Sequence, residues 1–342
     1  MRTPAVTESA LTVGAVDKSD VLADFSSRGP HYLDGSIKPD VTAPGVDIGA
    51  AASPGSRAEL TNPAIAPGYV ALDGTSMATP HVAGAAALLK EAHPDWGGEE
   101  IKAVLAASAV PGNYSAFEQG AGRVDVAAAL EQTVVAEPVS LSFGSVEWSP
   151  DPTTITKDLT YRNLGDQPVT LALELTTRGP NGAAAPAGTF TLRDNEVTVP
   201  AGGTASVPVV ADLGPAGTGH GFYDMTVTAT GGGQTVTTPG AFSLEHAHFD
   251  IDLAIVNGDG EPETVWTAFF ADVRTGRLYQ FSSGLSRDIV LPHGSYTMDV
   301  YVRERDAAGG SRPAGYDWST PASSPSGTRR SRSTPRSPGR CP

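Results

Sequence analysis

Cysteine is all but missing: Cys341 is the only one in 342 residues, so neither an intrachain disulfide nor a multi-cysteine zinc site can form. Long apolar runs are missing too. No stretch approaches the ~20 residues that a bilayer-spanning helix needs, and Met1 to Glu8 has no apolar block of ~7 to 15 residues behind a basic end. Neither a membrane span nor a secretory leader is read from this chain. Basic residues are few, 23 against 38 acidic, for a formal net charge of -15. That balance speaks against a nucleic-acid-binding surface. Five arginines (Arg329, Arg330, Arg332, Arg336 and Arg340) crowd the last fourteen residues, which leaves the body more acidic than the total indicates.

At 342 residues the chain has room for two or three domains, and its texture changes along the way. Residues 1–133 read as α/β material. β-branched runs such as Leu11 to Val16 and Tyr69 to Leu72 alternate there with alanine-rich helical segments. The clearest helix runs from Ser76 to Ala92. Val82, Ala83, Ala85, Ala86, Ala87, Leu88 and Leu89 leave it almost no polar face, which predicts burial on all sides. His93-Pro94 ends it, since the residue before proline is pushed out of the α region. Shorter helices are expected over 99–107 and 124–131. Through residues 134–246 the period becomes two. Ile155, Leu159 and Tyr161 share one parity with polar residues on the other, and turn clusters such as Asn163-Leu164-Gly165-Asp166 separate similar runs. The pattern predicts an antiparallel β-sandwich. Residues 247–306 repeat it as a second, smaller β module. Residues 307–342 are expected to form a disordered basic tail, because seven serines, five prolines and five arginines from residue 319 onward leave nothing large to bury. The abrupt break in composition favours out-of-frame translation there.

Asp73-Gly74-Thr75-Ser76-Met77-Ala78 puts a serine where a strand and turn meet the start of the long helix. Backbone N–H groups in a first helical turn lack internal partners and the positive end of the dipole points outward. An oxyanion developing beside Ser76 would be stabilised there. The plainer alternative makes Thr75 or Ser76 an N-cap, and placement alone leaves both open. The string Gly74-Thr75-Ser76-Met77-Ala78-Thr79-Pro80-His81-Val82-Ala83-Gly84 resembles, residue for residue, the active-serine motif of the subtilisin-like serine peptidases (S8 family, subtilases). Phe25-Ser26-Ser27-Arg28-Gly29-Pro30, Lys38-Pro39-Asp40-Val41-Thr42-Ala43-Pro44-Gly45 and Gly120-Ala121-Gly122-Arg123-Val124-Asp125 resemble segments that occur in the same order in that family. The resemblance covers roughly residues 11–130. It implies a partial subtilase-like α/β domain, a parallel sheet with flanking helices. It also implies Ser76 as the nucleophile that attacks a peptide carbonyl to form an acyl-enzyme, with the Ser76 N–H and the Thr75 hydroxyl assisting at the oxyanion.

By the same resemblance an Asp, a His and an oxyanion Asn should precede the serine. No Asp-Ser-Gly, Asp-Thr-Gly or His-Gly-Thr-His occurs, and the one Gly-Asn pair, Gly112-Asn113, lies on the wrong side. The chain is therefore expected to be the carboxy-terminal portion of a secreted, extracellular serine endopeptidase, with a truncated catalytic domain (1–133), a fibronectin-III-like sandwich (134–246) and a further β module. It is expected to act on peptide or protein substrates, with no cofactor or metal, and to be inactive alone. His81, five residues on, stands ~140° around the helix from Ser76 and is read as a packing residue. His31 and His93 are read as solvated near turns.

Two other readings compete. Gly74 to Ala78 approximates the Gly-x-Ser-x-Gly elbow of α/β-hydrolases, but there the acid and histidine follow the serine, and this chain turns to β modules after residue 133. Alternatively the chain is a non-catalytic β-sandwich binding or spacer protein, or a pseudopeptidase relic, with cell wall or extracellular matrix as the partner of its β modules. Asn257 to Glu261 partly mimics a calcium loop. Ile255 and Trp266 occupy the places of its first and last carboxylates, so a solvated turn is the better account.

Overall fold

The computed structural model describes residues 5, 7–31, 34–149, 151, 153–217, 219–245, 248–251, 253, 255, 265–273, 276–283, 289–292, 294–305 and 311–320. The chain divides into two compact units, Met1–Glu245 and His246–Pro342.

The first unit opens with β1 (Val13–Val16) and β2 (Val41–Pro44), paired in parallel. β3 (Ile48–Ala51), helix α1 (Arg57–Thr61), β4 (Ala64–Ala66) and β5 (Tyr69–Leu72) follow, the strands forming an antiparallel sheet in the order β3-β5-β4. The parallel sheet expected in this part is thus represented by two strands. The chain after β3 folds back on itself because Pro54-Gly55 and Pro67-Gly68 turn it, with both glycines at positive φ (73° and 76°).

Four helices come next. α2 (Thr75–Ala92) buries Ala78, Val82, Ala85 and Leu89 against β1 and β2, a single stripe at helical spacing. Its other faces are open: Ala83, Gly84, Ala87 and Leu88 are exposed, Leu88 to 49%. The expectation of a helix buried all round is corrected here, since the strands cover one side only. α3 (Gly98–Ala107) starts with Glu99 and Glu100 at its positive end, where the Glu100 carboxylate accepts the Gly97 N–H at 2.9 Å. α4 (Ala116–Gln119) is closed in the same way, Glu118 accepting from the Ser115 N–H at 2.9 Å. α5 (Val126–Glu131) is capped by Asp125, which accepts from the Ala128 N–H at 3.0 Å.

A buried ionic knot ties this part together. Asp40 receives Lys38 Nζ at 2.9 Å, Lys102 Nζ at 3.1 Å and the Thr12 N–H at 2.7 Å. Both lysines also donate to backbone carbonyls, Lys38 to Thr7 and Ala10 and Lys102 to Glu8 and Ala10. Desolvation lowers the Lys102 pKa from its ordinary value; Asp40 opposes this and Lys38 adds to it.

The rest of the unit is strand. β6 (Val134–Glu137), β7 (Leu141–Glu147), β8 (Thr154–Asn163), β9 (Val169–Arg178), β10 (Phe190–Leu192), β11 (Glu196–Val199), β12 (Thr204–Asp212), β13 (Gly221–Gly231) and β14 (Gln234–Glu245) form two sheets, ordered β10-β12-β8-β6 and β11-β9-β13-β14-β7. Alternate residues turn inward: Leu159 and Tyr161 on β8, Val207 and Val209 on β12, Met225 and Val227 on β13 are all buried. They belong to one core, in which Phe190 of the first sheet meets Phe242 of the second at 5.3 Å between ring centres. The two stretches flanking residue 133 are also tied directly. Arg162 on β8 reaches Glu100 of α3 at 3.2 Å and Glu137 at 2.9 Å. The Gln234 side chain accepts the Thr133 and Val134 N–H groups at 2.9 and 2.8 Å and donates to the Thr133 hydroxyl at 2.7 Å.

The second unit contains β15 (His248–Ile251) paired with β18 (Ile289–Pro292), and a sheet ordered β17-β16-β19-β20, formed by β16 (Trp266–Asp272), β17 (Leu278–Ser282), β19 (Tyr296–Arg305) and β20 (Ser311–Thr320). Ala268, Phe270, Ile289, Leu291, Val300 and Val302 make its core. Ser311–Thr320, within the stretch 307–342 expected as a tail, is strand β20 and pairs along the whole of β19. The stretches 257–261 and 321–342 lie outside the described residues. No helix among the described residues is long and apolar enough to cross a membrane.

Candidate active site

Ser76 sits at the second position of α2, exposed. The N-cap is Gly74, which makes no side-chain capping bond. Its carbonyl accepts the Met77 and Ala78 N–H groups at 2.9 and 3.3 Å, so the first turn closes on the backbone of Gly74. The N-cap alternative for Thr75 or Ser76 is thereby corrected: they occupy the first and second helical positions, where N–H groups have no intrahelical partner. Thr75 is half-buried beside Ser76, and its carbonyl takes the Thr79 hydroxyl at 2.9 Å.

Backbone around the serine is held from β2. The Gly74 N–H donates to the Gly45 carbonyl at 2.8 Å, and the Asp73 carboxylate accepts the Asp47 N–H at 2.6 Å. Only glycine allows this approach. A Cβ on Gly45 would meet the Gly74 oxygen at 2.7 Å and the Ala15 Cβ at 2.8 Å. Asp47 takes a positive φ of 54° and pairs with Lys18 at 3.0 Å, so a charged, tightly turned loop stands beside the start of α2. Gly45, Asp47 and Asp73 were not singled out from the sequence. Pro44-Gly45 closing a strand and Asp73-Gly74 opening a helix were the available signals.

His81, His31 and His93 have other surroundings. His81 is exposed, and its Nδ1 donates to the Met77 carbonyl one turn back at 2.7 Å, so its role as a packing residue is corrected. The stripe of α2 that packs is set by Ala78, Val82 and Ala85, and residue 81 falls outside it. His31 is buried at 7% exposure rather than solvated, with Nδ1 2.7 Å from Asp34 Oδ1. Desolvation works against ionisation of Asp34, but the Ser36 N–H, the Ser36 hydroxyl and His31 outweigh it and hold the carboxyl down to about 2. His93 is half-buried and stacks on Trp96, ring centres 3.7 Å apart. Among the described residues no cluster of three or more His, Cys, Asp or Glu side chains is arranged to hold a metal ion.

An exposed hydroxyl thus stands at the open, positive end of a helix on a glycine-braced turn, where free N–H groups are able to stabilise a developing negative charge. Residues 1–122 match the model of the subtilase family, peptidase S8. The chain is 34% identical over 221 residues to the minor extracellular protease Vpr of Bacillus subtilis (strain 168), covering 63% of this chain and 26% of that protein. It is 44% identical over 125 residues to the subtilisin-like protease SBT4.9 of Arabidopsis thaliana, 34% of this chain and 18% of that one. Among solved structures, MycP1 from Mycobacterium smegmatis aligns with 35% of this chain and 29% of its own at 31% identity, with a TM-score of 0.27. Residues 1–122 are thus similar to the subtilisin-like serine peptidases. The chain spans about a quarter of the length of Vpr and under a fifth of SBT4.9.

Proposed function

We propose that Ser76 is the nucleophile of a secreted serine endopeptidase, attacking the substrate carbonyl and forming an acyl-enzyme, with the Ser76 N–H and the Thr75 hydroxyl placed to receive the oxyanion. One observation carries the assignment. Capping of α2 is done by the Gly74 backbone, and the Ser76 hydroxyl is left exposed at the helix start, open to a substrate carbonyl. The secreted reading rests on the printed name of the Bacillus relative, an extracellular protease. Residues 134–246 serve on this view as a fibronectin-III-like sandwich, supported by the Phe190–Phe242 contact between their two sheets.

The polypeptide is inactive by itself. His81 stands ~140° around α2 from Ser76 and His31 is buried against Asp34 on a separate turn, which supports a Ser76 without a base of its own. In subtilisin the loss of the histidine costs roughly a million-fold in turnover and the loss of an oxyanion donor roughly 10² to 10³. Purified chain should leave casein intact and fail to react with a fluorophosphonate probe. Added imidazole, supplying the missing base, should give slow labelling that maps to Ser76 and vanishes in Ser76→Ala. Labelling of another residue, or unaided casein hydrolysis that depends on Ser76, would refute the corresponding half of the proposal.

A further inference from the structure

Along β16 one parity is spent on the core of the second unit: Ala268 and Phe270 are buried in it and Trp266 packs against it. Phe269, on the other parity, faces outward. Register puts Gln280 of β17 on one side of Phe269 and Asp299 of β19 on the other. Two residues further along, Ala271 stands opposite Leu278, which is 61% exposed. Two residues the other way, Thr267 stands opposite Tyr301, 51% exposed. The rings of the half-buried Phe269 and of Tyr301 meet with centres 5.7 Å apart and planes at 88°. Neither ring closes the core, since Ala268, Phe270, Val300 and Val302 do so from the opposite parity. An aromatic corner thus lies on an otherwise polar sheet face.

We propose that this face binds a chain of β-1,4-linked N-acetylhexosamine sugars around the Phe269–Tyr301 corner. A pyranose ring in such a chain has an apolar C–H face and a rim of hydroxyls. Its C–H face lies on one ring of the corner and abuts the other, a contact that needs exposed aromatic surface and no buried pocket. Asp299 accepts from the sugar amide N–H or a hydroxyl, and Gln280 both donates and accepts across the ring from it. Leu278 and Ala271 supply an apolar spot one step away, which suits the acetyl methyl. No lysine or arginine stands among the described side chains on these register positions, which speaks against an anionic polymer or a lipid headgroup. Size decides against a second copy of the chain. Three strands ~4.8 Å apart and four steps of ~3.4 Å make a patch of roughly 10 by 14 Å, a fraction of the ~800 Å² that each partner buries in a stable protein interface.

The sugar site does not depend on Ser76 acting as a nucleophile, and its test reads neither labelling nor proteolysis. Chitohexaose titrated into the full chain in a calorimeter should bind saturably, with a dissociation constant of about 1 mM or tighter. Cellohexaose, which lacks the acetamido groups, should bind more weakly. Tyr301→Ala and Asp299→Asn should each weaken chitohexaose binding roughly 10-fold or more, with the hydrogen-exchange protection of β16 and β19 unchanged. NMR shifts of the wild type on titration, centred on Phe269, Gln280 and Tyr301, give the same answer without a variant. No binding by the wild type, shifts centred on other residues, full-strength binding by both variants, or cellohexaose bound as tightly as chitohexaose would each overturn the site.

Discussion

Leu88 and Leu89 are neighbours in one helix, yet Leu89 is fully buried and Leu88 is 49% exposed. The same contrast separates α2 from the two large sheets. On β8, β12 and β13 each inward residue meets the facing sheet, and burial follows the alternation of the sequence. α2 is as apolar as those strands, but β1 and β2 cover one stripe of it. Composition sets what a segment is able to bury. The neighbours it finds decide what it does bury, and α2 finds them on one side.

Four substitutions would break or sharpen this contrast. The largest effect is expected where burial is ionic. Asp40→Ala strands Lys38 and Lys102 without their shared carboxylate, and should cost about 3 to 5 kcal/mol in denaturant unfolding; a loss near zero would mean that the knot opens to water. Next comes the leucine pair on α2. Leu89→Ala should cost about 3 kcal/mol and Leu88→Ala less than about 0.5 kcal/mol. Equal losses would show that the outer face of α2 is covered in solution. The smallest effect tests a local signal. Asp125→Ala removes the cap of α5 and should cost about 1 kcal/mol, read as a shift in the urea midpoint at constant m-value.

Much of the fold was legible because it is written in short-range chemistry. The 3.6 period from Ser76 and the His93-Pro94 stop give α2 to within a residue of Thr75–Ala92, and the parity of Leu159 and Tyr161 gives β8. Tyr69 to Leu72 is strand β5 as expected. Other features depended on partners distant in sequence. His31 lies in a turn, which suggested solvent, but Asp34 and the surrounding fold bury it. The three-stranded β3-β5-β4 sheet and the four-residue α4 are too short to impose a period. At the site, the position of Ser76 was readable from its motif. The brace from Gly45 and Asp47 was not, because a close approach between two backbones leaves no mark other than a glycine.

The Gln234 clip has a consequence for the order in which the molecule is made. Its three hydrogen bonds join positions 100 and 101 residues apart, so this clip closes only after the β13–β14 turn has been made, later than the nearer pairing of Thr133 with Leu164 and of β6 with β8.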